Sequence, residues 1–286
     1  MSRVMRLYYY GIFGAIGGVI GWQASNLLGL SFLAGNIYLS EIVVGAIIGF
    51  CIGVFIGLAE GLLTRNLLGA LRAGLISGLM GLAGGAIGLP LAEGFFQLLG
   101  GQVWSLALGW GLFGLLIGLA ASFTGGSQIW KGALGGLLGG IAGGLLLEAA
   151  RTWLKDPLLG KAAGLLLMGA SVGIFIAMIV FLLSKAWLEV TSGKLKGTEF
   201  ILDKFLRAEG PSAFIGSDAL KSDIVLPDPD IAPQHALLKG AGTHFNLKDL
   251  SLSGTFVNNR KIEQAVLKDR QNIKVGNTQL VYHEKR

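Results

Sequence analysis

Eleven residues near the carboxyl end, DLSLSGTFVNN from Asp249 to Asn259, gather three hydroxyls, a carboxylate, a glycine and two amides in one short segment. Side chains of these types donate and accept hydrogen bonds around a tight turn, which is the chemistry of recognition. Catalysis asks for more: a nucleophile beside a base, or an acid and a base set apart by their surroundings. His235 has no such companion and reads as a hydrogen-bonded structural histidine. His244 and His283 have no Cys or His neighbours at ligand spacing, and no P-loop or dinucleotide fingerprint occurs. The single Cys51 lies in an apolar stretch and cannot form an internal disulfide. The expectation is a protein that is not an enzyme and uses no cofactor and no metal.

The elements that must position this segment fall into two solvents. Of the 47 Gly, 39 lie in the first 186 residues, whereas only 14 of the 40 Asp, Glu, Lys and Arg do. Residues 7–40, 73–92, 94–130 and 162–184 carry no charge. Each run is long enough to cross a hydrocarbon layer, which takes roughly 20 apolar residues per helix. Splitting the runs at polar and turn-forming residues predicts six helices, 7–28, 42–64, 73–94, 104–124, 132–150 and 162–186. The expected domains are therefore a six-helix, glycine-rich transmembrane domain over 1–186 and a soluble domain over 187–286.

Internal repetition organises the helices. GFCIGVFIGLAEGLLTRNLL (49–68) returns as GASVGIFIAMIVFLLSKAWL (169–188), matching Gly49 with Gly169, Gly53 with Gly173 and Phe55 with Phe175 at a constant offset. LFGLLIGLAASF (112–123) is a middle copy. The partner of each is denser in glycine: GAIGGVIG (14–21), GLAGGAIG (81–88) and GGIAGG (139–144). Three helical hairpins of similar length result. Gly at spacings of three and four lets helix backbones approach closely, so Gly84 and Gly140 are expected at helix contacts.

Basic residues orient the hairpins. Arg3, Arg6, Arg65, Arg72, Lys131, Lys185, Lys194 and Lys196 fall on one side and Glu41 and Glu93 on the other, which places both termini in the cytoplasm of a bacterial cell, with the bundle in the plasma membrane. The segment holding Arg151, Lys155 and Lys161 departs from this rule, because it faces outward and is basic. The first 186 residues carry nine Lys or Arg against five Asp or Glu, and the remainder fourteen against twelve. So even a division points to lipid contact and orientation rather than to nucleic acid.

After Trp187 the pattern changes to short apolar runs between turn residues. WLEVTSGKLKGTEFIL reads as two strands around a Gly-containing turn, and AFIGS, DIVL, HALLKG, HFNLKDL, GTFVNN, NIKVG and QLVYHE follow. Many short strands without helices make an all-β sandwich.

This segment resembles a forkhead-associated (FHA) domain, whose pattern runs Gly-Arg, then Ser-x-x-His, then Asp-x-Ser-x-Asn-Gly-Thr followed by two apolar residues and Asn, then Leu and Ile before a closing Gly. The chain supplies Ile215-Gly216, His235-Ala236, Asp249-Leu250-Ser251, Gly254-Thr255-Phe256-Val257-Asn258, and Leu267 through Ile273 to Gly276. The glycine-rich helices are similar to those of bacterial membrane proteins that end in such a domain. The resemblance implies a sandwich that binds phosphothreonine peptides through loops at one end. An Arg meets the phosphate charge, a Ser hydroxyl lies beside it, and an Asn amide holds the peptide backbone.

At each of these the sequence departs: Ser217 stands where the Arg follows Gly216, Ala232 where the Ser precedes His235, and Ser253 where the Asn precedes Gly254. What it keeps is the framework, Gly216, His235, Gly254 and Thr255. The candidate partner-binding positions are Ser217, Lys221, Ala232, Ser251, Leu252, Ser253, Asn258 and Arg260. Of these, Lys221 and Arg260, on neighbouring predicted loops, are the cations available to replace the missing Arg. The expected function is a membrane-anchored scaffold subunit that binds a protein partner in or at the membrane without phosphate. A channel or transporter regulated by its cytoplasmic domain is the first alternative, favoured by a water-accessible path through the bundle. A phosphothreonine-dependent receptor is the second.

Overall fold

A computed structural model of the chain describes residues 3–27, 37–63, 66–98, 100, 103–124 and 128–285. Six helices come first: α1 (Arg3–Leu27), α2 (Ile37–Leu63), α3 (Leu67–Leu98), α4 (Val103–Thr124), α5 (Ile129–Trp153) and α6 (Pro157–Leu182). All begin before their predicted starts; in α1 and α5 charged residues counted as loop, Arg3, Arg6 and Lys131, lie in the first turn. At α6 the cause is explicit. Asp156 caps the helix, its carboxylate accepting from the N–H groups of Leu158 (2.8 Å) and Leu159 (3.1 Å), and Pro157 follows where its missing N–H costs nothing. The predicted end of α6 at 186 is corrected to Leu182, since the chain turns there toward the first strand.

Four of the described helices, α3, α5, α6 and the Tyr38–Ala59 part of α2, are long and apolar enough to cross a membrane, and α4 carries a shorter apolar run, Leu106–Ser122. The helices touch their neighbours in chain order, and α1 also packs on α6, so they close a ring. Two kinds of contact alternate around it. Within each hairpin, glycines of the odd-numbered helix lie on the backbone of large residues of the next, as Gly17 does on Ile52, Gly88 on Phe113 and Gly139 on Val172. Between hairpins glycine meets glycine reciprocally, Gly49 with Gly81, Gly114 with Gly136 and Gly14 with Gly169, each so close that a Cβ would strike the facing carbonyl. Such proximity brings dispersion and Cα–H···O contacts between the helix backbones.

The interior is filled. Ile52, Phe113 and Val172, followed by Ile56, Ile117 and Ile176, come one from each of α2, α4 and α6 and belong to one core cluster, each at most 2 % exposed. Side chains therefore occupy the space that a conducting path would need.

Eleven strands follow: β1 (Ala186–Ser192), β2 (Glu199–Ile201), β3 (Ala213–Gly216), β4 (Ile224–Val225), β5 (Ala236–Gly240), β6 (Phe245–Asp249), β7 (Thr255–Val257), β8 (Arg260–Ile262), β9 (Gln264–Val266), β10 (Asn272–Val275) and β11 (Thr278–Glu284), with a 3₁₀ turn at Asp203–Phe205. They form a six-stranded sheet, β2-β1-β11-β10-β7-β8, and a five-stranded sheet, β4-β3-β5-β6-β9. Inward residues such as Leu188, Ile215, Leu238, Leu247, Ile273 and Leu280 are fully buried between them. Each such side chain contributes roughly 1.5–3 kcal/mol by leaving water. Ile201 of β2 instead joins the core cluster of the helices, so the sandwich is seated on the bundle.

Candidate functional site

The candidate residues gather where the β3–β4, β4–β5 and β6–β7 connections meet. β3 ends at Gly216, where a Cβ would run into the Pro233 carbonyl, so the β4–β5 connection crosses over bare backbone. Ser217 holds the crossing: its N–H donates to the Ala232 carbonyl (3.1 Å) and its hydroxyl to the Ile231 carbonyl (2.8 Å). Beside it the Ser222 hydroxyl donates to the Pro233 carbonyl (2.7 Å). Ser217, a candidate partner-binding position, is half-buried and its donor is committed inside the fold. Ala232 is half-buried as well, and only Ser253 of the three departures is exposed.

His235 is fully buried and links two loops to the opening segment. Its Nδ1 accepts from the Ala232 N–H (3.2 Å), which assigns the proton to Nε2, facing the Ser251 Oγ (3.0 Å) and the Gly254 carbonyl (3.3 Å). Ser251 in turn accepts from the Gly254 N–H (2.8 Å) and donates to Asp249 Oδ1 (2.9 Å). The same oxygen accepts from the Thr255 hydroxyl (2.9 Å) and the Ser251 N–H (3.2 Å). Burial pushes the Asp249 carboxyl up, but the hydrogen bonds from Ser251 and Thr255 outweigh it and hold the group below its ordinary value. Asp249, Ser251, Thr255 and His235 thus form one satisfied network whose hydroxyls face inward.

Gly254 takes φ +88°, which a side chain resists, and turns the chain into β7. Asn258 (φ +49°) and Asn259 (φ +63°) form the two-residue turn to β8. The Asn258 Oδ1 accepts from the Asn272 N–H (3.0 Å) and ties the hairpin to β10. Arg260 is exposed but starts strand β8, which corrects its placement on a loop. That hairpin pairs Phe256 with Lys261, and the side chain of Lys261 passes over Gly254. Lys261 is therefore the cation beside the glycine turn, a residue that sequence reasoning passed over. Lys221 is exposed on the β3–β4 connection.

Beside these polar groups, this end exposes three leucines. Leu252 is 103 % exposed and Leu220 79 %, with Leu250 exposed behind Leu252. Leu252 and Leu250 ride on the loop that Asp249 and Ser251 hold fixed, and Leu220 on the one that Ser217 fastens. Among the described residues no group of three or more His, Cys, Asp or Glu could hold a metal ion.

The family model for the FHA domain matches residues 213–276. Among curated proteins the chain is similar to the glycogen accumulation regulator GarA of Mycobacterium tuberculosis, 32 % identical over 98 residues, covering 34 % of this chain and 56 % of that one. It is also similar to the oxoglutarate dehydrogenase inhibitor of Corynebacterium jeikeium, 32 % identical over 98 residues, 34 % of this chain and 63 % of that one. The chain thus spans little more than half the length of the curated relatives it matches. Among solved structures it is similar to the FHA domain of the CT664 protein from Chlamydia trachomatis, with 32 % identity, 36 % of this chain and 100 % of that one covered, and a TM-score of 0.33. Residues 213–276 of this chain are an FHA domain.

Proposed function

We propose that residues 1–186 anchor the chain as a multi-pass protein in a bacterial plasma membrane. Residues 187–286 then hold a protein-interaction module on the cytoplasmic side, where both termini lie. The module engages a membrane-associated protein partner through the apolar loop end, and phosphate is not required. One observation carries this reading: Ser217, at the position that would present an arginine to a phosphate, donates its hydroxyl to the Ile231 carbonyl (2.8 Å) instead of facing outward. A dianionic phosphate brought to this end would lose its water and gain no charge-assisted donor at that position. The exposed Leu220 and Leu252 supply apolar area of the kind that fills a partner's pocket. Orientation rests on the basic residues at the sandwich end of the helices. A filled interior supports a scaffold over a conducting bundle.

The test is titration of the full chain in detergent with paired threonine and phosphothreonine peptide libraries, read by fluorescence anisotropy. Equal binding of the paired peptides, weakened by Leu252→Ser, supports the proposal. Micromolar binding that requires phosphate and is lost in Lys261→Met would make Lys261 the phosphate cation and the protein a phosphothreonine reader.

A further inference from the structure

At the end of the bundle remote from the sandwich the ring of helices opens into a cup of about 590 Å³, to which all six helices contribute. Its floor is apolar: Ile48, Trp110 and Leu165, the first residues of the filled interior, close it off from the other end. Its rim is charged, and the charges are sorted. Glu41 comes from α2, while Arg151 comes from α5 and Lys161 from α6. In a ring closed in chain order, α5 lies across from α2. A carboxylate therefore lies across from Arg151 over an apolar base, with Lys161 on the helix next to Arg151.

Two buried polar atoms at this cup are unmet. Trp22 Nε1 and Glu41 Oε2 have no hydrogen-bond partner among the described residues. Buried acceptors are almost always paired, so the unmet Glu41 oxygen marks a place for a donor on a bound molecule. Arg151 engages Glu148 (3.0 Å) with one nitrogen of a five-donor fork, and its side chain remains 46 % exposed. The cup also accounts for the basic outward segment that orientation by charge leaves unexplained. Two of its three basic residues, Arg151 and Lys161, line the cup, so their place is set by a site and not by translocation.

We infer that this cup binds a zwitterionic amphiphile, a molecule with a primary ammonium group, an acidic group and an apolar portion. The ammonium sits against Glu41, where it supplies a hydrogen bond to Oε2. The acidic group lies between Arg151 and Lys161. The apolar portion rests on the floor. Two sources carry this chemistry, an ethanolamine-headed phospholipid and a free apolar amino acid.

The experiment uses the full chain in a neutral detergent and three probes: dihexanoyl phosphatidylethanolamine, leucine, and dihexanoyl phosphatidylglycerol, which keeps the phosphate and tails but lacks the ammonium. Calorimetric titration is expected to show binding of at least one zwitterion, at least tenfold tighter than phosphatidylglycerol. Binding of phosphatidylethanolamine alone identifies a lipid site, and binding of leucine a soluble-ligand site. Glu41→Gln should weaken the zwitterion at least tenfold and leave phosphatidylglycerol unchanged, whereas Arg151→Gln should weaken both phospholipids. Glu41→Asp, which keeps the charge, should retain binding and separates lost charge from lost fold. The inference is overturned if neither zwitterion binds, if phosphatidylglycerol binds as tightly as the tighter-bound zwitterion, or if Glu41→Gln and Arg151→Gln bind every probe like the parent.

Discussion

Lys131 and Asp203, 72 residues apart, meet in an ion pair of 2.6 Å with both side chains 0 % exposed, and that pair joins the helices to the sandwich. Lys131 lies in the first turn of α5, where a cation opposes the helix dipole. Asp203 and the Leu183 carbonyl (2.6 Å) offset that cost. The other carboxylate oxygen accepts from the N–H groups of Lys185 (2.8 Å) and Ala186 (3.1 Å), so one aspartate fastens both α5 and the passage from α6 to β1. Lys131, counted from the sequence among the basic residues that orient the hairpins, is a buried structural ion.

Asp203→Ala should be the most damaging substitution at this joint. It strands a buried ammonium and two backbone donors, and removing one partner of a buried pair typically costs about 3–5 kcal/mol. Lys131→Met should cost less, because the carboxylate keeps its two N–H donors. Limited proteolysis between Leu182 and Ala186 and hydrogen exchange of β1 measure the effect. Unchanged cleavage and exchange in both variants would show that the pair does not hold the domains together.

Gly84 and Gly140 both lie at helix contacts, as the repeat predicts, but they should not respond alike. A Cβ on Gly84 meets the Leu116 Cβ at 2.7 Å, an atom fixed to its backbone, so α3 or α4 must shift slightly to admit it. On Gly140 it meets the Trp110 carbonyl and the Gly111 Cα, which belong to the backbone of α4. Gly84→Leu should therefore lower stability by about 1–3 kcal/mol, the usual range for overpacking, and Gly140→Leu by more. The yield of monodisperse protein in detergent and its thermal midpoint test the order.

Asp249 gives the sandwich an acid limit. Its carboxyl is held below the ordinary value of 3.8, so the stability it contributes is complete above that pH and is lost as pH falls through the lower folded-state value. Hydrogen-exchange protection of β6 and β7 should decline below pH 3.8 in the parent. Asp249→Asn should reduce protection already at neutral pH and flatten the acid decline. A parent profile identical to that of Asp249→Asn would remove the carboxylate from the network.

The parts of this architecture that repeat or alternate were legible in the sequence. The glycine spacing announces the hairpins, and Gly254 with Asn258-Asn259 announces two turns, because each depends on local backbone requirements. β8 and β9 were not legible: they are three residues long, and their side chains are largely exposed or half-buried, so no apolar alternation marks them. Lys261 had a signal that went unused. A two-residue turn at Asn258-Asn259 pairs Val257 with Arg260 and hence Phe256 with Lys261, which brings Lys261 rather than Arg260 back alongside the Gly254 turn. The Lys131–Asp203 joint had none, since ordinary charges so far apart in the chain become a pair only once both domains are folded.

The loop end should accept a phosphate if its missing donors are restored. Ser217→Arg, Ala232→Ser and Ser253→Asn together return the residues that the FHA resemblance implies. Charge-assisted hydrogen bonds contribute roughly 1.5–3 kcal/mol each when well aligned. Two of them amount to about two to four decades of affinity, at roughly 1.4 kcal/mol per decade. Ser217→Arg takes the hydroxyl from the carbonyl of buried Ile231, which costs about 1–3 kcal/mol and is offset by the charge-assisted bonds gained. Ser253→Asn changes an exposed side chain, and Ala232→Ser leaves the Ala232 N–H on His235 in place. The triple variant should therefore fold and prefer phosphothreonine over threonine peptides by at least 100-fold, a change of about 2.7 kcal/mol, where the parent shows no preference. Paired peptide titrations of both proteins decide it. A folded triple variant as indifferent to phosphate as its parent would mean that the backbone of these loops, and not the three side chains, bars the phosphate.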